Sequence, residues 1–252
     1  MTLTGSIPVD AHVENKNLRV LVHNGVTYAA TLNQTNVQHN NNKFYILQIL
    51  ESLSNPSNLY FFTRWGRVGF VGQKAEAGPM TMQKCISEYN SKLNAKTRGG
   101  DYRIVEMNYE AEQKKEKKVE TKDKNETKQD EVASSLDQKV QDLMRLIFDM
   151  KMMNNQMKEI GYDASKMPLG KLAKSSIMKG YEALKKLMEE VKGKKRKEVI
   201  AEQSNEFFSY IPHDFGFKQM SNFILDSENK IRQKLEMLQS LEDIQVFTKL
   251  LD

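Results

Sequence analysis

Phe44-Tyr-Ile-Leu-Gln-Ile-Leu50 and Leu59-Tyr-Phe-Phe-Thr-Arg-Trp65 decide the fold of the first half of this chain. Both are short apolar and aromatic runs of strand length, and Asn55-Pro56-Ser57-Asn58 between them is turn chemistry. Upstream, Leu18 to Leu32 places Asn24-Gly25 between two β-prone runs. Asn-Gly suits a type I′ hairpin, because both central residues need a positive φ. Downstream, Met82, Cys85, Ile86, Tyr89 and Leu93 recur at three- and four-residue spacing, which predicts a helix from Thr81 to about Leu93. Tyr102 to Met107 then returns to alternation and is expected to close the sheet. Residues 17–110 therefore read as a small antiparallel sheet with one helix packed on it.

The remainder of the chain has a different texture. Residues 1–16 are expected to be a flexible N-terminus. Residues 111–133 carry seven basic and seven acidic side chains with almost nothing apolar. Such a stretch cannot bury enough surface to offset its ordering entropy, so it reads as a charged linker. Residues 134–252 read as all helix. Leu136, Val140, Leu143, Met144, Ile147, Met150 and Met157 form one apolar stripe. Helices are predicted over Lys174–Lys192, with Ile177, Tyr181, Leu184, Leu187, Met188 and Val191 on one face, over about Lys197–Tyr210, and over Ile231 to Leu251, which carries Leu235, Leu238, Leu241, Ile244, Phe247 and Leu251. Pro168 with Gly170, and Pro212 with Gly216, break the pattern between helices. The 14 methionines concentrate on these helices and read as adaptable core filling. The fold class is α+β: a small sheet domain followed by an all-α bundle.

Bulk properties exclude some functions. The 252 residues contain no apolar run long enough to span a bilayer. The N-terminus lacks the basic and apolar regions of a secretory signal. Cys85 is the single cysteine, so an intramolecular disulfide is impossible, and it reads as a buried hydrophobe. The net charge of +5 divides into +3 over residues 1–110 (11 basic, 8 acidic), zero over 111–133 and +2 over 134–252 (20 basic, 18 acidic). Neither half is strongly basic, so any nucleic-acid binding should be focused at one site.

One cluster has the chemistry for such a site. Sensing a nucleic-acid end requires donors for a terminal phosphate and a flat surface for an exposed base or sugar. Arg67 supplies a planar fork of donors and Trp65 a flat surface, while Gly66 between them permits a close backbone approach. Asn40-Asn41-Asn42-Lys43 adds amide donors and a point charge, and Arg98-Gly99-Gly100 offers backbone N–H groups. His213 beside Asp214 invites a catalytic reading. No serine or cysteine nucleophile motif accompanies the pair, so a structural histidine at a helix–loop junction is expected. His12, His23 and His39 lack metal-ligand spacing, and no catalytic or metal residue is assigned. Lys192-Gly-Lys-Lys-Arg-Lys197 reads equally as a nuclear-localisation cluster or as a solvated interhelix loop.

Two groups of three motifs each carry a family resemblance. Thr31-Leu-Asn-Gln-Thr-Asn36, Asn41-Asn42-Lys43-Phe44-Tyr45 and Arg64-Trp-Gly-Arg-Val-Gly69 resemble the WGR domain of the short, DNA-dependent poly(ADP-ribose) polymerases. Val140-Gln-Asp-Leu143 through Asp149, Lys166-Met-Pro-Leu-Gly-Lys-Leu172 and Ile211-Pro-His-Asp-Phe-Gly216 resemble that family's helical regulatory domain. The resemblance implies that Asn42 and Lys43 meet a DNA backbone at a 5′-phosphate end. It implies that Trp65 packs on the terminal nucleotide, that Arg67 links DNA to the neighbouring domain, and that Tyr102 lies near the break phosphate. The segment before Tyr102 is shorter than the family's usual tryptophan-containing stretch. Lys171, His213 and Asp214 would serve the interdomain, regulatory side. The family's catalytic domain would follow Asp252, so no cofactor is expected within these residues and NAD+ would bind that further domain. The implied function is a DNA strand-break sensor and allosteric regulatory module, nuclear or alternatively cytoplasmic. Two alternatives stay open: an adaptor using both domains for protein–protein contacts, or a fragment of a longer NAD+ ADP-ribosyltransferase. A catalytic polymerase or another protein in trans is a possible partner.

Overall fold

A computed structural model describes residues 7–108, 137, 139 and 171–250. Its largest sheet is antiparallel and is built around two long strands, β5 (Asn41–Ser52) and β6 (Leu59–Arg67), the runs whose apolar character stands out in the sequence. β4 (Ala29–Asn36) pairs with β5 on one side, and β7 (Gln73–Met80) pairs with β6 on the other. β1 (Leu18–Val20) adds to the far end of β5. β2 (Val22–His23) and β3 (Val26–Thr27) form a separate small hairpin, with Asn24 and Gly25 both at positive φ as the turn requires. β7 escaped the sequence reading because it is a polar, exposed edge strand with no buried face to impose alternation.

The two faces of this sheet are covered differently. Tyr45, Leu47, Ile49, Leu59 and Phe61 point to α1 (Met82–Thr97), which inserts Cys85 and Tyr89 between them. Thr81 caps this helix, its hydroxyl accepting the Lys84 N–H. Leu50 and Phe62, on the opposite face, are covered by Ile7, Val13, Leu18 and Val20. Residues 7–16 are therefore not the flexible N-terminus that the composition suggests. Burial of Ile7 and Val13, together with a buried Asp10–Arg64 ion pair, straps them to the sheet.

The rest of that second face meets the helical half. β8 (Arg103–Ile104) pairs with β4, but the expected last strand then divides. β9 (Met107–Asn108) leaves the sheet and pairs with β10 (Lys171–Leu172), at the entrance to α2 (Lys174–Lys192). α3 (Lys197–Tyr210), a 3-10 turn (Met220–Phe223) and α4 (Glu228–Leu250) follow. α2 and α3 cover the predicted residues, and α4 starts about a turn before the predicted Ile231. Ile177, Leu184, Leu187 and Val191 are buried as the periodicity predicts, and Leu238 joins them from α4. Gly180 lets Ile211 cross close by: a Cβ there would come within 2.8 Å of the isoleucine side chain.

The sheet and the bundle share one core. Val37, Phe44, Ile46, Val68 and Val105 from the first half are continuous with Phe207, Phe208, Ile211 and Phe215 from the second. The predicted stripe from Leu136 to Met157, Pro168, Gly170 and the charged linker at 111–133 lie outside the described residues. Among the described residues no helix is long and apolar enough to cross a membrane.

Candidate nucleic-acid interface and its seat on the helical half

β6 delivers the Trp65-Gly66-Arg67 motif, and register with β5 places Tyr45 opposite Trp65 and Lys43 opposite Arg67. Strand alternation puts Trp65 on the α1 face. Its ring stacks on Tyr45, with centroids 5.8 Å apart and planes 14° from parallel. Tyr102 meets Tyr45 edge-on at 6.4 Å, and burial raises its phenol pKa. The Lys96 ammonium, from the last turn of α1, lies 4.6 Å from the Tyr45 centroid and 5.4 Å from that of Tyr102. A cation between two aromatic faces is a favourable arrangement. Trp65 and Tyr102 therefore belong to one cluster, completed by Tyr45 and Lys96, two residues that look like ordinary core and helix-surface positions in the sequence. Lys43 is exposed beside it.

Gly66 answers a need inside the protein. A Cβ at this position would come within 2.7 Å of Gly72 Cα, so the glycine admits the returning chain. Arg64, one residue before Trp65, points to the other face. Its Nε donates to both Asp10 carboxylate oxygens, at 2.9 and 3.0 Å, and its Nη1 donates to Val71 O at 2.8 Å. The strap at residues 7–16 thus holds the β6–β7 turn that follows the motif.

Arg67 points across the boundary between the two halves. Its Nε donates to Gly216 O at 2.6 Å, its Nη1 to Asn40 O at 3.0 Å and its Nη2 to Asn40 Oδ1 at 3.4 Å. Three of the five N–H donors of a guanidinium are thereby used. Asn40 adopts a positive φ, which asparagine tolerates, and this turns its carbonyl toward the arginine. Gly69, two residues on, sits against the Asp214 carboxylate, where a Cβ would come within 2.5 Å of Oδ1. That same Oδ1 accepts the Gly216 N–H at 2.9 Å.

Asn42 is placed differently from its expected role. It alternates to the bundle face and is fully buried, its amide donating to His213 O at 2.7 Å while its Oδ1 accepts from Thr35 Oγ1 at 3.3 Å. Adjacent strand positions explain the contrast with Lys43: successive side chains leave opposite faces. Asn33 Nδ2 donates to Phe208 O and Ser209 O, and Thr35 N–H donates to Ser209 Oγ. The two Asn33 bonds satisfy carbonyls at the open C-terminal end of α3, and the Thr35 bond holds the Ser209 hydroxyl beside them. In the sequence Asn33 and Thr35 stand only as members of the resembling motif, and nothing local marks them as an interdomain contact.

His213 is buried among Phe207, Phe208 and Phe215. Nδ1 bonds Ile211 O at 2.6 Å, which fixes the Nδ1–H tautomer and leaves the Nε2 lone pair to accept from Lys234 Nζ at 3.0 Å. Burial, reinforced by the neighbouring ammonium, holds the imidazole pKa well below its ordinary value, so the ring is neutral. Burial also lowers Lys234 to about 8. The Lys171 backbone pairs with Asn108 in β10, and the neighbouring connection is held by Glu106. Its carboxylate accepts from Ser175 Oγ and Lys179 Nζ, and its N–H donates to Ser176 Oγ.

The Lys192–Lys197 cluster is an exposed corner between helices, with Arg196 folded back onto Glu190 and holding that carboxyl at about 2. Arg98, Gly99 and Gly100 are exposed. Cys85 is buried, and its thiol is pushed up to about 11, which makes it inert. Among the described residues no group of histidine, cysteine and carboxylate side chains is arranged to hold a metal ion.

Comparison with known proteins bears on both halves. The WGR domain model matches residues 28–108, and the model of the poly(ADP-ribose) polymerase regulatory domain matches residues 134–252. The chain is 40% identical over 245 residues to poly [ADP-ribose] polymerase 2 of Arabidopsis thaliana, covering 92% of this chain and 38% of that protein. It is 39% identical over 268 residues to poly [ADP-ribose] polymerase 2 of Zea mays, covering 100% of this chain and 40% of that protein. It is 32% identical over 272 residues to poly [ADP-ribose] polymerase 2 of Homo sapiens, covering 99% of this chain and 45% of that protein. The chain spans less than half the length of each of these relatives.

Proposed function

Because this chain belongs to the poly(ADP-ribose) polymerase family, with a WGR domain and a regulatory domain in sequence, we propose that it binds DNA strand breaks through a 5′-phosphate end and passes the occupancy of that site to its helical half. The observation that carries this reading is the position of Arg67. Its guanidinium is anchored on Gly216 O of the helical half and on the β4–β5 turn, and two further N–H donors remain for a phosphate oxygen. A phosphate bound there would compete with, or reorient, the contact that seats the motif on the bundle. Trp65, backed by Tyr45, supplies the flat surface, while Lys43 and Lys96 supply further positive charge. Asn42, buried beneath the sheet, acts in this reading on the transmitting side.

The helical half would then be the responsive element. A regulatory bundle that shares its core with a sensor is coupled to it energetically, and that coupling is reciprocal. A catalytic domain joined to such a module, in cis or in trans, would feel DNA binding through α3 and the 211–217 loop.

The test compares nicked duplexes carrying a 5′-phosphate or a 5′-hydroxyl. Wild type is expected to prefer the phosphate, and Arg67→Ala to lose about 1.5–3 kcal/mol of binding to the phosphorylated nick, with its preference largely gone. Equal affinities of wild type and variant for that nick would overturn the reading.

A further inference from the structure

Phe217 is the most exposed large apolar side chain among the described residues, at 82%. It sits in the loop Ile211-Pro-His-Asp-Phe-Gly-Phe217, where Phe215 is buried against Phe208, His213 and Phe223. Gly216 between the two phenylalanines has φ 55°, a left-handed conformation. That reversal turns one ring into the core and the next out of it. Phe217 then meets Phe70, itself exposed in the β6–β7 turn, at a centroid distance of 4.8 Å. The Arg67 guanidinium lies 5.9 Å from its ring centre. Val71, 60% exposed, extends the apolar surface. Two exposed rings contributed by different halves of the protein, meeting beside the candidate phosphate-binding arginine, call for a ligand that is flat on one side and anionic on the other.

We propose that Phe217 and Phe70 form a stacking platform for a nucleobase that a strand break leaves unpaired or unstacked, with its phosphate directed to Arg67. Base stacking on aromatic side chains is sequence-tolerant, because every base has a π-face, and it commonly accompanies flanking cations. Arg67 and the exposed Lys43 and Lys218 supply those cations. The nearest acidic group along the loop, Asp214, directs a carboxylate oxygen to the Gly216 N–H and packs against Gly69. This placement requires no pocket: Phe217 keeps most of its surface open for a base. The platform also makes base recognition depend on both halves being docked, since Phe70 moves with the sheet and Phe217 with the bundle.

The proposal rests on the DNA-end reading above, and the experiment separates the two. An abasic nucleotide is walked through the terminal positions on either side of a 5′-phosphorylated nick, and affinity is measured for wild type, Phe217→Ala, Phe70→Ala and Arg67→Ala. At one position, loss of the base is expected to cost wild type roughly 5- to 100-fold and to cost Phe217→Ala little or nothing, with Phe70→Ala intermediate. 5-Iodouracil at that position is expected to photocrosslink to Phe217 or Phe70 in the 252-residue chain. A thermal melt of Phe217→Ala accompanies the series, since truncation of an exposed ring leaves the fold intact. Binding to the phosphorylated nick that is sensitive to Arg67→Ala, but shows no position where wild type loses more than Phe217→Ala, overturns the platform and leaves the DNA-end reading standing. Failure of wild type to bind any phosphorylated end overturns both.

Discussion

A single histidine shows how burial turns an ionisable side chain into a structural one. His213 donates to Ile211 O, accepts from Lys234 and lies among three phenylalanines, with its own carbonyl held by Asn42. The folded protein keeps the ring neutral because its pKa is held well below the ordinary 6.5. In the unfolded chain the ring takes up a proton as pH falls through that value. The unfolded state then binds more protons than the folded state, so stability falls as pH drops below about 6.5, by at most about 1.4 kcal/mol per pH unit from this group. Urea midpoints between pH 7.5 and 5 should show this slope, and His213→Gln should show a shallower one. Identical slopes would mean that the acid sensitivity lies elsewhere. Lys234 contributes on the alkaline side with the same sign. Held at about 8 against an ordinary 10.5, it makes stability rise as pH climbs between those values.

At the scale of elements, legibility followed apolar pattern. β5, β6, α2 and α3 each bury a continuous apolar stripe, so their periodicity was visible in one sequence. β7 buries almost nothing, and the apolar residues of the strap at 7–16 follow neither a helical nor a strand period, so neither stands out in the sequence. The strap is explained by one long-range pair: Asp10 is buried because Arg64, more than fifty residues later, neutralises it. No local pattern encodes that. The candidate site divided in the same way. Trp65, Arg67 and Tyr102 stand out by residue type, whereas Tyr45, Lys96 and Phe217 acquire their roles only when strand register and loop geometry bring them together. Removing one partner of a buried ion pair strands the other charge, so Asp10→Asn should lower the stability of the sheet by about 3–5 kcal/mol in a denaturant titration. A loss under about 0.5 kcal/mol would show the strap to be incidental. Because Arg64 also holds Val71 O, the same substitution should loosen the turn that presents Phe70.

At the scale of the molecule, the two matched domains share their interior. Phe44 and Ile46 pack with Phe208 and Phe215, bonds from Asn33 finish the C-terminal end of α3, and Asn42 holds His213 O in the loop beyond it. Asn33→Ala leaves the Phe208 and Ser209 carbonyls short of a buried donor, which costs about 1–3 kcal/mol. Native-state hydrogen exchange should report that cost within 205–215, as protection lowered about five- to a hundredfold, while the centre of β5 and β6 stays protected. Uniform loss across both halves would instead indicate that sheet and bundle open as one unit.

The pairing of β9 with β10 has a consequence for the joint between sheet and bundle. Met107–Asn108 and Lys171–Leu172 are tied side by side, and Glu106 fastens the junction to Ser175, Ser176 and Lys179. Asn108 and Lys171 are paired neighbours although they are more than sixty positions apart in the sequence. The sheet side and α2 are therefore riveted to each other by direct bonds, at a seam that any change in the docking of the two halves has to cross.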